Sequence, residues 1–339
     1  MTALLRVREL VVELATPAGW VRPVNGVSLG IGTGESVGLV GESGSGKTML
    51  SLALMGLLPP GARVGGEIWL GAATGKKEKD NAETQSTQRD AEKSRNLVGQ
   101  SEEEWRAVRG REIAMIFQEP MTSLNPVMRV GAQVAEAIRA HEPRIAESEL
   151  RGRMLAALGQ ASVPEPEVRA RQFPHQLSGG LRQRVMIAMA LAGGPKVLIA
   201  DEPTTALDVT VQRQILELLD KLRRELGLGL LFITHDLGVV ARIADRVAVM
   251  YAGRIIEQGP TEQVLAAPLH PYTQGLLAAS PKLERGKLVP IPGTVPQLTA
   301  LPPGCSFAPR CAFHREECDA RIPEFRPSGA EHAARCVLV

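Results

Sequence analysis

A doubly wound α/β core flanked by antiparallel strands is the fold this sequence predicts, on three observations. KVLIAD (196–201) and LGLLFITHD (228–236) are short apolar runs bounded by loops, as central parallel strands buried on both faces require. QRQILELLDKLRREL (212–226), between them, repeats its apolar residues at helical spacing. GESVGLVG (34–41) is a further short apolar run; it ends in glycine and leads through a glycine-rich loop into KTMLSLALMGLL (47–58), a buried helix by pattern. Strand, helix, strand in this order indicates a sheet with crossover helices.

The other elements follow in turn. RVRELVVELA (6–15) and VNGVSLGI (24–31) have the look of paired antiparallel strands, and GEIWL (66–70) of another. From Ala73 to Asn96 no aliphatic residue exceeds alanine, and Lys, Glu, Gln and Ser dominate. Such a stretch buries too little apolar surface to offset its ordering entropy, so a mobile surface insertion is expected over about 73–100. SEEEWRAVRG (101–110) starts as a helix does, with Ser before acidic residues, and IAMIF (113–117) is a strand. Helical spacing runs from about Val127 to Arg171, broken at Pro143 and at Pro164–Pro166, and resumes towards Leu191; a helical subdomain over about 127–190 is expected. After Gly259 proline becomes frequent and the chain has the character of a small, loop-rich appendage.

Composition narrows the function. The 339 residues allow one large domain with an appendage, or two modest domains. At 44% hydrophobic and 22% charged residues the chain has the balance of a soluble protein. A net charge of +2 gives no polyanion-binding signal, and an aromatic content of 3% argues against stacking platforms, so nucleic acid is not an expected partner. No stretch approaches 18 apolar residues, and MTALLRVRELVVEL alternates like a strand rather than a signal peptide. A cytoplasmic protein is expected, with any membrane attachment through a partner.

Two glycine-rich turns carry the chemistry. In GESGSGKT (41–48), Gly41, Gly46, Lys47 and Thr48 fit G-x-x-x-x-G-K-[ST], preceded by a strand and followed by a helix. Glycines at this point let backbone N–H groups turn inward around phosphate, and the helix N-terminus adds its positive end. Lys47 is placed to reach the β- and γ-phosphates and Thr48 to ligate Mg²⁺. Asp201 ends the strand KVLIAD, where Mg²⁺ would sit at the sheet's carboxyl edge; Glu202 follows as a general base orienting water. Gln118, just after IAMIF, and His235, ending LGLLFITH, lie at equivalent edge positions. Of the six histidines only His235 has a site position; the other five are expected on the surface or in packing. The second turn, Ser178, Gly179 and Gly180, opens a helix with a good N-cap and exposed N–H groups, another anion site. It lies well over a hundred residues after Lys47, and two chains arranged head to tail, each closing the other's nucleotide site, account for it most simply.

GESGSGKT, Gln118, LSGGLRQR (177–184), LIADEP (198–203), ALD (206–208) and His235 together resemble the full motif series of an ABC transporter ATPase over roughly Leu4 to Gly259. FQEPMTSLNP (117–126), HPYTQGLL (270–277) and the cysteine-bearing tail are similar to the ATPase subunits of dipeptide and oligopeptide importers. The resemblance implies a P-loop NTPase core with an antiparallel β subdomain, a helical subdomain and a small C-terminal cysteine-bearing domain, divided at 1–260 and 261–339. It implies phosphate contacts from Gly41, Ser43, Gly44, Ser45, Gly46, Lys47 and Thr48, and Mg²⁺ ligation by Thr48, Gln118 and Asp201. Glu202 is implied as base, His235 as the γ-phosphate contact, and Gln118 as the link to a permease. Ser178, Gly179 and Gly180 would contact nucleotide across a dimer with Asp208 at its interface. Leu181 stands where the commonest signature has Gln, a feature of the peptide-importer subgroup, and Trp20 is the nearest candidate for an adenine-stacking aromatic. The partners implied are a second, related ATPase subunit, two transmembrane permease subunits at the cytoplasmic membrane face, and an extracytoplasmic solute-binding protein. Peptides are the expected cargo, nickel or another small solute the alternative.

Cys305, Cys311, Cys318 and Cys336 are spaced C-x₅-C-x₆-C-x₁₇-C. Clustered cysteines in a reducing compartment point to metal, and the paired C-x₂₋₄-C spacing of zinc sites is absent. Four thiolates are the complement of a [4Fe–4S] cluster, to which the subgroup resemblance also points; zinc, free thiols and disulfides stay open.

Overall fold

The computed structural model describes residues 3–71, 95–118, 123–205, 207–280, 290–329 and 331–339. In chain order its elements begin with β1 (Ala3–Thr16), β2 (Gly19–Gly32), β3 (Ser36–Val40), α1 (Lys47–Leu54), β4 (Arg63–Leu70) and β5 (Arg95–Asn96). Next come α2 (Glu102–Val108), β6 (Ile113–Ile116), α3 (Val130–Arg139), α4 (Glu147–Gln160), α5 (Pro166–Arg169), α6 (Gly179–Leu191), β7 (Val197–Asp201) and α7 (Val209–Leu226). The chain ends with β8 (Gly229–Thr234), α8 (Leu237–Ile243), β9 (Arg246–Tyr251), β10 (Arg254–Pro260), α9 (Thr261–Ala266), α10 (Pro271–Ala278), α11 (Glu317–Ala320), β11 (Arg326–Pro327) and β12 (Ala333–Ala334). They fall into two compact units. The first takes in the described residues of Met1–Leu4, Gly32–Glu35 and Gln100–Leu231; the second those of Leu5–Ile31, Ser36–Gly99 and Phe232–Val339.

In the first unit β6 and β7 pair in parallel, from Ile113 opposite Val197 to Ile116 opposite Ala200, and both are buried throughout. Continuous apolar sequence is what burial on both faces requires. The helix start expected at Ser101 is a capping box: Glu104 N–H donates to the Ser101 hydroxyl, and Ser101 N–H to the Glu104 carboxylate at 2.8 Å. Helices α3, α4 and α6 pack on one another over Val134, Ile138, Leu150, Leu158 and Val185. Proline closes the gaps as the sequence indicates, with Pro166 at the first position of α5. Helix α7 buries Ile215, Leu216, Leu218, Leu219 and Leu222 along one stripe and stops at Gly227 in the left-handed conformation.

In the second unit β1 runs antiparallel to β4, from Leu5 opposite Leu70 to Glu13 opposite Arg63, with β2 on its other side. Strand β5 pairs with β4 through Asn96 opposite Trp69, so residues 95 and 96 belong to the sheet, and Leu97 is buried beside it. The rest of the expected insertion, 72–94, lies outside the described residues. Strand β3 is parallel to β9, β9 forms an antiparallel hairpin with β10, and β10, β12 and β11 continue antiparallel.

The C-terminal segment falls in the second unit with the strands that precede it. Val40, Val247, Val249, Tyr251 and Ile256 share one apolar cluster with Tyr272, Leu277 and Phe307, and Ile291, Val295, Leu298, Leu301, Cys305 and Cys311 pack against it. A proline-rich tail with few large apolar residues cannot bury a core alone, so it completes that of β3 and β9.

Candidate nucleotide-binding site

The phosphate loop lies in the second unit between β3 and α1. Gly46 is the N-cap of α1, at φ 106°, and no side chain caps the helix. A Cβ at Gly46 would stand 2.0 Å from the Pro23 carbonyl oxygen, so only glycine closes the loop this tightly. Lys47 is buried; its ammonium donates to the carbonyls of Gly41 at 2.8 Å and Glu42 at 2.9 Å, and to the Ser45 hydroxyl at 3.3 Å. The Ser45 carbonyl accepts from Gly253 N–H at 2.9 Å, tying the loop to the β9–β10 turn. This uncapped helix start behind a lysine is suited to hold phosphate oxygens.

The first unit carries the other candidate groups. Asp201 ends β7 and is buried, and Glu202, the next residue, sits at φ 46°. A non-glycine residue in the left-handed region costs about 1–3 kcal/mol, and such strain gathers where a side chain must be aimed. The Glu202 carboxylate accepts from the Thr205 hydroxyl at 2.9 Å and from the Gln118 amide at 3.4 Å. Gln118 and Glu202, 84 residues apart, thus share one place in this unit.

The second glycine turn is in the same unit. Ser178 caps α6, its hydroxyl accepting from Leu181 N–H at 3.4 Å. Asp208 caps α7, accepting from Thr210 N–H at 3.1 Å and Val211 N–H at 2.9 Å. The two helix starts lie side by side: a Cβ on Gly180 would come 2.7 Å from a Val211 methyl, and one on Gly179 3.4 Å from a Leu207 methyl. Ser178, Gly179, Gly180 and Asp208 therefore form one cluster.

His235 and Trp20 belong to the second unit. His235 follows β8 and is exposed, and Asp236 after it caps α8. Trp20 is 47% exposed, with the Arg63 guanidinium 4.0 Å from the centre of its ring.

The C-terminal segment meets the phosphate loop at Glu42. Arg310 forks onto the Glu42 carboxylate at 2.7 and 3.1 Å, and Glu42 N–H donates to the Tyr272 hydroxyl at 2.8 Å. The carboxylate and the Tyr251 hydroxyl raise the Arg310 pKa further above its already basic value. Cys305, Cys311, Cys318 and Cys336 line one small cavity with His270, Phe307 and Phe313. Burial pushes the Cys305 thiol up to about 11 and the Cys311 and Cys336 thiols upward, and the charges of neighbouring cysteines add to each rise. His270 is buried; its Nδ1 accepts from Tyr272 N–H at 3.0 Å, and its Nε2 has no hydrogen-bond partner. Burial holds its pKa down at about 3, so the ring is neutral and Nε2 carries the proton.

Comparison with known proteins decides the family. The family described as "ABC transporter" matches residues 24–205, and that described as "Oligopeptide/dipeptide transporter, C-terminal region" matches 256–318. A putative peptide import ATP-binding protein of Brucella ovis is 46% identical over 98% of this chain and 96% of its own length. The oligopeptide transport ATP-binding protein OppD of Bacillus subtilis is 45% identical over 100% of this chain and 90% of its own. The chain belongs to the ABC transporter ATPases.

Among solved structures, the dimeric post-hydrolysis state of the cassette MJ0796, bound to ADP and Pi, has 28% identity and a TM-score of 0.61 over 76% of this chain and 98% of that one. In this ABC ATPase the quoted motifs stand at strand ends and helix starts: residues 41–46 between β3 and α1, Asp201 at the end of β7 and Ser178 before α6. Ala206 and residues 119–122 of the quoted motifs lie outside the described residues. Two of the five histidines expected on the surface or in packing are buried in packing. His270 borders the cysteine cavity, and His332 is buried with its Nε2 2.7 Å from the Glu257 carboxylate. Glu42, Tyr272 and Arg310 are absent from the sequence-derived site because each lies outside the residues that the motifs mark as chemical.

Proposed function

We propose that this ABC ATPase energises import of di- and oligopeptides through membrane permease subunits. Relatives named as peptide-import, oligopeptide and dipeptide ATP-binding proteins, 44–46% identical over essentially the whole chain, carry this reading and favour peptide over nickel. In this reading residues 1–260 are the nucleotide-binding part and 261–339 an importer-type C-terminal region.

Lys47 and the N–H groups of Gly41, Ser43, Gly44, Ser45, Gly46 and Thr48 hold the phosphates. Thr48, Asp201 and Gln118 would hold Mg²⁺, which supplies positive charge against the phosphate oxygens. Glu202 accepts the proton of the attacking water, His235 contacts the γ-phosphate, and Trp20 stacks on adenine. Ser178, Gly179 and Gly180, with Asp208 beside them, close over the nucleotide of a second, related ATPase subunit. ATP then favours the closed pair because only that state draws contacts from both chains. Gln118 relays this state to two permease subunits, and an extracytoplasmic binding protein delivers cargo. Among the described residues no helix is long and apolar enough to cross a membrane, consistent with peripheral attachment at the cytoplasmic face. A groove of about 610 Å³ among α3, α4 and α5, with Met128, Ala132, Met154 and Leu155 in its lining and Arg129, Glu136 and Arg151 at its polar positions, suits an amphipathic permease segment.

The resemblance to peptide-importer ATPases supports Cys305, Cys311, Cys318 and Cys336 as candidate ligands of a [4Fe–4S] cluster; the cavity they line, of about 10 Å³, would have to widen to admit it. A single zinc ion needs its sulfurs about 2.3 Å from one point, and among the described residues no group of three or more His, Cys, Asp or Glu could hold a metal ion. Four thiols line one cavity with the unpartnered His270 N–H beside them, a donor that sulfur acceptors would satisfy. When bound, the cluster supplies cross-links to a segment with little core. Anaerobically purified protein should contain iron and acid-labile sulfide; their absence would remove the cluster.

Glu202→Gln should keep ATP binding and lose turnover by a factor on the order of 10²–10⁴. Full turnover would remove Glu202 as the base. With co-expressed permease and binding protein in liposomes, oligopeptides should stimulate hydrolysis and enter the lumen. Stimulation by nickel instead would overturn the cargo.

A further inference from the structure

Glu42 has all three of its polar groups engaged within the second unit. Its carboxylate takes the Arg310 fork at 2.7 and 3.1 Å, and its N–H donates to the Tyr272 hydroxyl at 2.8 Å. Its carbonyl accepts from the Lys47 ammonium at 2.9 Å and from Ser45 N–H at 3.2 Å. The residue on which the phosphate-loop lysine leans is therefore held by two side chains from beyond residue 270. Arg310 is itself anchored by further contacts. Its side chain is 4% exposed, its Nε donates to the Pro292 carbonyl at 2.8 Å, and its Nη1 also reaches the Tyr251 hydroxyl at 3.3 Å. Tyr272 is fully buried, packed against Tyr251 and Phe307.

A buried ion pair adds little net stability, because desolvation takes back most of the attraction; it does fix geometry, and a forked pair fixes it in two directions. We propose that Arg310 and Tyr272 are positioning residues for nucleotide binding, setting Glu42, and through it Lys47 and the phosphate loop, from the C-terminal segment. This rests on the reading of residues 41–48 as the phosphate site. Both residues also border the cysteine cavity in sequence and space: Arg310 directly precedes Cys311, and Tyr272 N–H donates to the cavity-lining His270. The loop's affinity thus depends on how well the cysteine segment is ordered.

The test is calorimetric titration of the full-length chain with Mg²⁺–AMP-PNP. Glu42→Gln should weaken binding about 10-fold, measured below the melting temperature of each variant because an unpaired Arg310 also lowers stability; Arg310→Gln should do the same, and the double variant no more than either, as coupled residues do. Arg310→Lys, which keeps the charge and loses the fork, should fall between wild type and Arg310→Gln, and Tyr272→Phe should cost about 3-fold. In the assembled transporter KM for ATP should rise with kcat at saturation unchanged. Unchanged affinity in a folded Glu42→Gln variant, or losses that add in the double variant, would overturn the proposal. If Arg310→Gln does not fold, Glu42→Gln and Tyr272→Phe decide alone. Lys47→Ala serves as control: retained AMP-PNP binding there would refute the phosphate-loop reading itself, whatever the Arg310 variants do.

Discussion

The two glycine-rich helix starts are built in opposite ways. At the signature turn, Ser178 caps α6 with its own hydroxyl, and Asp208 caps the adjoining α7, so both ends are finished by local side chains. At the phosphate loop, Gly46 offers no side chain and no side chain caps α1. The missing local support comes from Pro23, Gly253, Tyr272 and Arg310, all distant in sequence. A helix start that must bind an anion gives up its cap and needs bracing from elsewhere. On the proposed head-to-tail arrangement, the signature turn closes over a neighbour's nucleotide and can keep its cap.

Three changes probe that contrast. Gly46→Ala should act most strongly: the left-handed backbone costs about 1–3 kcal/mol, and the new methyl meets a carbonyl oxygen at 2.0 Å. Nucleotide affinity should fall on the order of 100-fold or more, measured by AMP-PNP titration. Wild-type affinity there would end the claim that the loop is closed by contact with Pro23.

Acid should act next, and on the braced side alone. The His270 pKa is lowered from 6.5 to about 3 by burial. Between these values the unfolded chain binds a proton that the folded chain does not, so the contribution is intact above pH 6.5 and is lost as the pH falls towards 3. The loss amounts to a few kcal/mol as an order of magnitude. Amide exchange, corrected for its intrinsic rate, should quicken in 41–48 and 261–280 between pH 7 and pH 5 while α6 stays protected. Equal quickening in both regions would erase the distinction.

Ser178→Ala should be mildest. Loss of the cap costs α6 about 1 kcal/mol, visible in its local exchange, and leaves AMP-PNP binding by the isolated chain as it was. Weakened binding in the isolated chain would place Ser178 at the nucleotide of its own chain and break the head-to-tail arrangement.

The sequence by itself determined the elements and the chemistry they present. Unbroken apolar runs made β3, β7 and β8 legible, a Ser-x-x-Glu pair announced α2, and strand-end positions singled out Asp201, Glu202 and His235. Each of those signals lies within a few residues, where periodicity and capping act. The tertiary structure decided that the cysteine tail shares the β3–β9 core, that four cysteines face one cavity, and that Arg310 and Tyr272 hold Glu42 across 268 and 230 positions. A contact between one arginine and one glutamate so far apart leaves no period and no spacing behind it. It exists only once packing has brought the two together.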